Sequence, residues 1–293
     1  MPPQPISIPF VKAHGLGNDF LLIEESQLRG NDPWALAHSM CHRHTGIGAD
    51  GLVVLGLSAN ADASYRIFNS DGSEAGLSGN GLRCAAAWMR RRDPGTQGHI
   101  SLETRVGLRE LFFLRMEGSA FVFRTEIGKP AFRAEDVPFL PSGDPGPPPI
   151  VDYPLDVAGR ILPVTVLSMG NPQCITFWED FSNREWLRLG AAMEIHLSFP
   201  DRANIGFVSV VDSGRIEARF WERGAGHTTA SGTGSCACAV AAHLARGASR
   251  RLVVGLELGE MEVNWREDDL IELTGPAEIT AEGTYSWAPV QSA

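Results

Sequence analysis

The residues best suited to chemistry lie in one run, 221–236, WERGAGHTTASGTGSC. It brings together an acid (Glu222), an arginine (Arg223), a histidine (His227) and a Ser–Gly–Thr–Gly turn starting at Ser231. An alanine-rich stretch, 237–245, follows and favours helix. The turn therefore falls where a loop becomes a helix. There the first backbone N–H groups lack internal partners and the macrodipole places partial positive charge. Glycines at 232 and 234 let an anion approach those donors. The chemistry expected is an anion cradle with Ser231 at its lip.

A second run has the same form. Residues 68–83 read FNSDGSEAGLSGNGLR and also lead into an alanine-rich segment. Ser78-Gly79-Asn80-Gly81 matches Ser231-Gly232-Thr233-Gly234. In the same register Phe68 falls on Trp221, Asn69 on Glu222, Glu74 on His227, and Gly17-Asn18 on Gly170-Asn171. Several separated matches in one register argue for a duplicated unit. Two copies would set two helix N-termini near a pseudo-twofold axis, with one small anion between them.

The elements that must position these residues follow from the pattern. At 293 residues the chain suits two domains. A net charge of −10 argues against nucleic acid or an anionic membrane as partner. No apolar run is long enough to span a bilayer, and the N-terminus lacks the form of a secretion signal. The five cysteines, Cys41, Cys84, Cys174, Cys236 and Cys238, form no CxxC, which points to a reducing cytoplasm.

In chain order, HGLGNDF (14–20) marks a tight loop after a strand, and Asn18 there either binds a ligand or holds the turn. Asp32 and Pro33 start a helix with Trp34, Leu36 and Met40 facing inward. His38 and His42 have i, i+4 spacing but no accompanying carboxylate, so no metal site is expected. GIGADG (46–51) matches a dinucleotide fingerprint in letters only: a helix precedes it and a strand follows, so it reads as a turn into a strand. Strands are expected at 99–103, 110–115, 120–127, 161–168, 252–258, 261–265 and 270–273. Residues 141–149 read as an extended surface loop, and Asp180 as the cap of a helix through Trp186 and Leu189. Gly275-Pro276-Ala277 reads as a turn into a short tail.

HGLGNDF, GIGADG, FNSDGSE, SGNGLRC, MGNPQ, ERGAG and SGTGSCACAVAA, in that order and nearly end to end, resemble diaminopimelate epimerase. The resemblance implies an α/β fold of α+β type. It has two pseudo-symmetric halves, each a curved, mostly antiparallel sheet wrapped round a central helix, with the site between them. The halves would span 1–126, with 277–293 returning to it, and 127–276. It further implies a cofactor-independent amino-acid epimerase or racemase, nominally converting LL- to meso-diaminopimelate in lysine biosynthesis. Asn18, Asn69, Asn171 and Asn204 would bind polar groups of the amino acid. Glu222 and Arg223 would engage its ammonium and carboxylate ends. Gly79-Asn80 and Gly232-Thr233 would hold the reacting carboxylate on backbone donors as charge develops. Exposed strand edges are where a homodimer would pair.

The departures lie at the lips. Family members carry cysteine where this chain has Ser78 and Ser231. Gln173 stands in place of a histidine, His227 of a glutamate and Ala203 of a threonine. A serine hydroxyl ionises far less readily than a thiol and needs an adjacent base. Three readings follow: an epimerase whose two cysteines have been replaced; a natural relative, isomerase or lyase, in which His227 is a single base activating Ser231; or an amino-acid-binding relative that does not turn its ligand over. The changes at 173 and 227 argue against simple replacement. Ser78, Ser231, Glu222, Gln173 and His227 are the catalytic candidates.

Overall fold

The computed structural model describes residues 5–95 and 98–288. The ends of the expected halves, residues 1–4 and 289–293, lie outside that range. The chain divides into two compact units, Met1–Thr125 with Gly275–Ala293, and Glu126–Thr274.

Unit 1 contains β1 (Ile6–Gly15), β2 (Asn18–Glu24), α1 (Pro33–Cys41), β3 (Gly51–Gly56), β4 (Ala63–Asn69), β5 (Glu74–Ala75), α2 (Gly79–Arg92), β6 (His99–Thr104), β7 (Gly107–Glu117) and β8 (Ala120–Gly128), whose last residues pass into unit 2. Neighbouring strands pair antiparallel except β2–β3 and β4–β6, which are parallel. HGLGNDF is the β1–β2 hairpin, turned by Leu16 and Gly17, both at positive φ. Strand alternation divides the side chains between two cores. Val53, Leu55, Tyr65 and Ile67 face α2, whose Cys84, Ala85, Ala86 and Ala87 are fully buried. Leu52, Val54 and Phe68 face α1. Asp32 caps α1 as expected, its side chain accepting from Trp34 N, and Leu36 and Met40 are buried. Trp34 is not inward: it sits in the first turn and is 54% exposed.

Unit 2 contains β9 (Ile150–Val157), β10 (Arg160–Ser168), β11 (Pro172–Phe177), α3 (Glu185–Glu194), β12 (Asn204–Asp212), β13 (Arg215–Glu222), β14 (Gly226–Thr228), α4 (Gly232–Arg246), β15 (Arg251–Leu256), β16 (Gly259–Trp265) and the start of β17 (Ile271–Trp287). Here β11–β12 and β13–β15 are parallel and the other pairs antiparallel. α4 supplies a wholly buried run, Ser235 to Ala242, of small side chains plus Val240. Ala and Cys at these positions leave room for the surrounding strands to approach the helix closely. Asp180 does not cap α3. Its carboxylate closes a turn on Ser182, while Asn183 accepts from Glu185 N where the helix begins. Gly275-Pro276 is no turn either: β17 continues through it, and residues 278–287 pair with β1 in unit 1.

Among the described residues no helix is long and apolar enough to cross a membrane. Strands dominate, with one alanine-rich helix at the core of each unit, an α+β fold.

Candidate active site

Each cradle forms within its own unit. In unit 1, Ser78 is the N-cap of α2, at φ −137 and ψ 120, and its Oγ accepts from Gly81 N at 3.1 Å. In unit 2, Ser231 caps α4 at φ −133 and ψ 123, and its Oγ accepts from Gly234 N at 3.2 Å. The second glycine of each motif is a packing requirement. A Cβ at Gly234 would stand 2.8 Å from Ser231 Oγ and 2.9 Å from the Phe220 ring, so any larger residue would push the cap off the helix. The caps use the N–H groups of Gly81 and Gly234. Those of Gly79, Asn80, Gly232 and Thr233, in the first turns, have no partner within the helix.

The two lips differ in what else they touch. Ser231 Oγ donates to Glu222 Oε1 at 2.6 Å, a short bond of the charge-assisted kind. Glu222 ends β13 on the strand face that carries Phe220, which packs on α4. Ser78 has no carboxylate partner among the described residues, because Asn69 holds the corresponding place on β4. Asn69 donates instead to Ser73 Oγ at 2.9 Å, within the 69–73 turn.

His227 is not the base for Ser231. It pairs with Trp221 across β13 and β14 and so occupies the opposite face from Glu222. Its Nε2 lies 2.6 Å from Glu257 Oε1 and its ring edge meets Trp186 at 5.2 Å, on the side where α3 packs. Proximity in sequence brought His227 and Ser231 together; the alternation of the strand separates them.

Gln173 is completely buried on β11. Its Nε2 donates to Asn171 Oδ1 at 2.9 Å and to Thr233 Oγ1 at 3.3 Å, which ties Asn171 to the second cradle. Its Oε1 has no hydrogen-bond partner among the described residues. Asn204 lies opposite Gln173 in the β11–β12 register, donates to Pro172 O at 3.1 Å and accepts from Arg223 N at 3.0 Å. It thus holds the Glu222–Arg223 turn. Arg223 Nη1 donates to Asp201 O at 3.0 Å and the residue is exposed.

Glu194, a residue that sequence reasoning passed over, completes this framework. The last residue of α3 and nearly buried, it accepts from Gly224 N at 2.8 Å, Trp221 Nε1 at 2.8 Å and Arg202 Nη1 at 3.4 Å. Burial pushes its carboxyl pKa up, but the bonds from Gly224 and Trp221 and the Arg202 charge outweigh burial and leave it below the usual value. Helical spacing gave no hint of it, since the partners lie in a loop and a strand far along the chain.

In unit 1, Asn18 donates to Asp50 Oδ2 at 2.8 Å and accepts from Asn80 Nδ2 at 3.0 Å. The cysteines are unsuited to the lips. All five are buried and none forms a disulfide, and burial pushes Cys84, inside α2, up to about 12.

Comparison with known proteins shows the family. The family model for diaminopimelate epimerase matches residues 10–131 and 165–280. A diaminopimelate epimerase from Pelotomaculum thermopropionicum is 40% identical over 280 residues, covering 95% of this chain and 99% of that protein. One from Methanococcus maripaludis is 35% identical over 275 residues, covering 94% and 98%. Among solved structures, a PhzF-family phenazine biosynthesis protein from Bacillus anthracis superposes with TM-score 0.71 at 16% identity, covering 95% of this chain and 99% of that one. A hydroxyproline epimerase from Agrobacterium vitis gives 0.65 at 13%, covering 97% and 93%. These structures share the fold. With helix-capping Ser–Gly–Xaa–Gly turns in both units and curated relatives matched almost end to end, the chain belongs to the diaminopimelate epimerase family.

Proposed function

We propose that this chain is a cofactor-independent isomerase that moves the α-proton of an amino acid, nominally between LL- and meso-diaminopimelate. The observation that carries the proposal is the Ser231–Glu222 hydrogen bond at the N-terminus of α4, beside first-turn N–H groups that have no partner within the helix. Serine alone is a poor base, because its alkoxide is rarely populated. Hydrogen-bonded to a carboxylate it can act as a relay: Oγ takes the α-proton while its own proton passes to Glu222 Oε1. Serine ends neutral, Glu222 ends protonated, and the electron pair from the broken C–H bond moves into the substrate carboxylate. The N–H groups of Gly232 and Thr233 are placed to stabilise that charge as it grows, an effect on the order of 3 kcal/mol per donor. Asn18, Asn69, Gly79, Asn80, Asn171, Asn204 and Arg223 are proposed to bind the remaining polar groups. Five buried cysteines with no disulfide among them fit a cytoplasmic setting.

The asymmetry of the lips supports a second reading. Stereoinversion needs a proton donor for each face, and Ser78 lacks the carboxylate that Ser231 has. One-face exchange or elimination needs only the Ser231–Glu222 pair. Incubation with a panel of amino acids in deuterium oxide, followed by NMR and chiral analysis, separates the two. Exchange with inversion shows the epimerase, and exchange without inversion the one-base enzyme. A panel that includes both diaminopimelate isomers and shows neither binding nor exchange would refute the substrate class.

A further inference from the structure

The GIGADG segment has a role beyond turning the chain. Its glycines do the turning. A Cβ at Gly46 would run into the carbonyls of Ser39 and Met40, and Gly48 has φ +83. Asp50 does something different. Its Oδ1 accepts from Arg43 Nη2 at 2.7 Å, and its Oδ2 accepts from Asn18 Nδ2 at 2.8 Å and Asp19 N at 3.1 Å. Asn18 Oδ1 in turn accepts from Asn80 Nδ2 at 3.0 Å, and Asn80 Oδ1 accepts from Arg83 Nη2. Arg83 is fully buried in α2, with Nε donating to Pro276 O at 3.1 Å. Gly15 gives the chain of bonds its space: a Cβ there would lie 3.2 Å from both Asn80 Oδ1 and Arg83 Nη2.

This relay has a fixed polarity. A carboxylate only accepts and a guanidinium only donates. With Asp50 at one end and Arg83 at the other, neither amide can flip without setting donor against donor or acceptor against acceptor. Each amide therefore spends one N–H inside the relay and has a second N–H outside it.

We infer that Asp50 is a positioning residue for substrate binding. Through Asn18 it fixes both amides so that the first cradle presents side-chain N–H donors, beside the backbone donors of Gly79 and Asn80, to a carboxylate. The inference rests on the function proposed above for that cradle.

The test is a pair swap. In Asp50→Asn, residue 50 no longer dictates which end of the Asn18 amide it meets. In the double variant Asn18→Asp with Asp50→Asn, the amide at 50 can donate to the carboxylate at 18 but then sets an N–H against Asp19 N, and position 18 offers only acceptors. LL-diaminopimelate binding by calorimetry, the thermal midpoint, and the side-chain amide NMR signals of Asn18 and Asn80 are measured on the full chain. We expect Asp50→Asn to weaken binding about tenfold and to shift the amide signals of both Asn18 and Asn80. We expect the swap to recover part of the loss in thermal midpoint but none of the affinity. An Asp50→Asn variant that keeps native affinity, whatever its thermal midpoint, would overturn the inference. So would an unchanged Asn80 signal in Asp50→Asn. If the native protein binds no amino acid, the proposed function fails, while the amide signals still decide whether Asp50 governs the relay.

Discussion

The two cap serines look alike in sequence and differ in the structure, so truncating each to alanine should give different results. Ser78→Ala removes a helix N-cap, worth about 1 kcal/mol of stability. Ser231→Ala removes an equivalent cap and also the 2.6 Å bond to Glu222. A hydrogen bond to a charged group contributes about 1.5–3 kcal/mol net. Glu222 is half-buried, so the lower end applies, and Ser231→Ala should cost about 2.5 kcal/mol in all. The gap between the two variants, about 1.5 kcal/mol, measures the Ser231–Glu222 bond. A double-mutant cycle with Glu222→Ala isolates it, because the other interactions of Glu222 cancel. Urea unfolding of the four proteins gives the stabilities, and α-proton exchange the activity. A positioned base contributes about 100-fold or more, so Ser231→Ala should lose at least about 100-fold in exchange, with no further loss when Glu222→Ala is added. Ser78→Ala should retain exchange at one face. Equal destabilisation by the two alanines, or a coupling within about 0.3 kcal/mol of zero, would refute the pairing of Ser231 with Glu222.

Further predictions concern the frame around the cradles. Glu194→Gln can still accept from Gly224 N, but it then turns an amide N–H toward Trp221 Nε1–H. It should destabilise by about 1–3 kcal/mol and raise KM more than it lowers kcat; an unchanged urea midpoint would show that Glu194 does not hold the turn. Burial pushes the Asp19 carboxyl pKa up, but bonds from Arg43 and Lys12 outweigh it and hold the value below its reference of 3.8. The folded state then favours the ionised form. Its contribution is complete above about pH 4 and is lost as pH falls through the folded value. The stability gap between native protein and Asp19→Asn should be constant from pH 7 to 5 and shrink toward pH 2.5, and a gap independent of pH would contradict this assignment. Burial pushes Cys41 and Cys84 up to about 12, and all five thiols are enclosed. A chromogenic disulfide reagent should react slowly with native protein and label five thiols after denaturation; rapid native labelling would show an open thiol.

Much of this molecule could be read from the chain alone, because the relevant physics is local. Asp32 before Pro33 starts a helix through its own side chain, and Ser-Gly-Xaa-Gly before alanines makes a capped N-terminus from four adjacent residues. The family resemblance rests on such contiguous motifs, and the strand-forming runs that predicted β10 and β16 are properties of the strands themselves. Other features depended on contacts remote in sequence. Gly275-Pro276 suggested a turn, yet pairing on either side carries β17 straight through. Asp180 had the chemistry of a helix cap, but it closed a local turn and left α3 to begin at Glu185. His227 stood four residues before Ser231 and pairing with Trp221 turned it to the opposite face, while Glu222, nine residues away, reached the hydroxyl. The contacts of Asp50, Arg83 and Glu194 were also invisible in the sequence, since the partners of a charged side chain are chosen by whatever the fold brings beside it. Sequence by itself determined the capped helix ends, the strand periodicity and the family; tertiary structure decided which acid serves which serine, because a side chain's face and neighbours are set by pairing between distant segments.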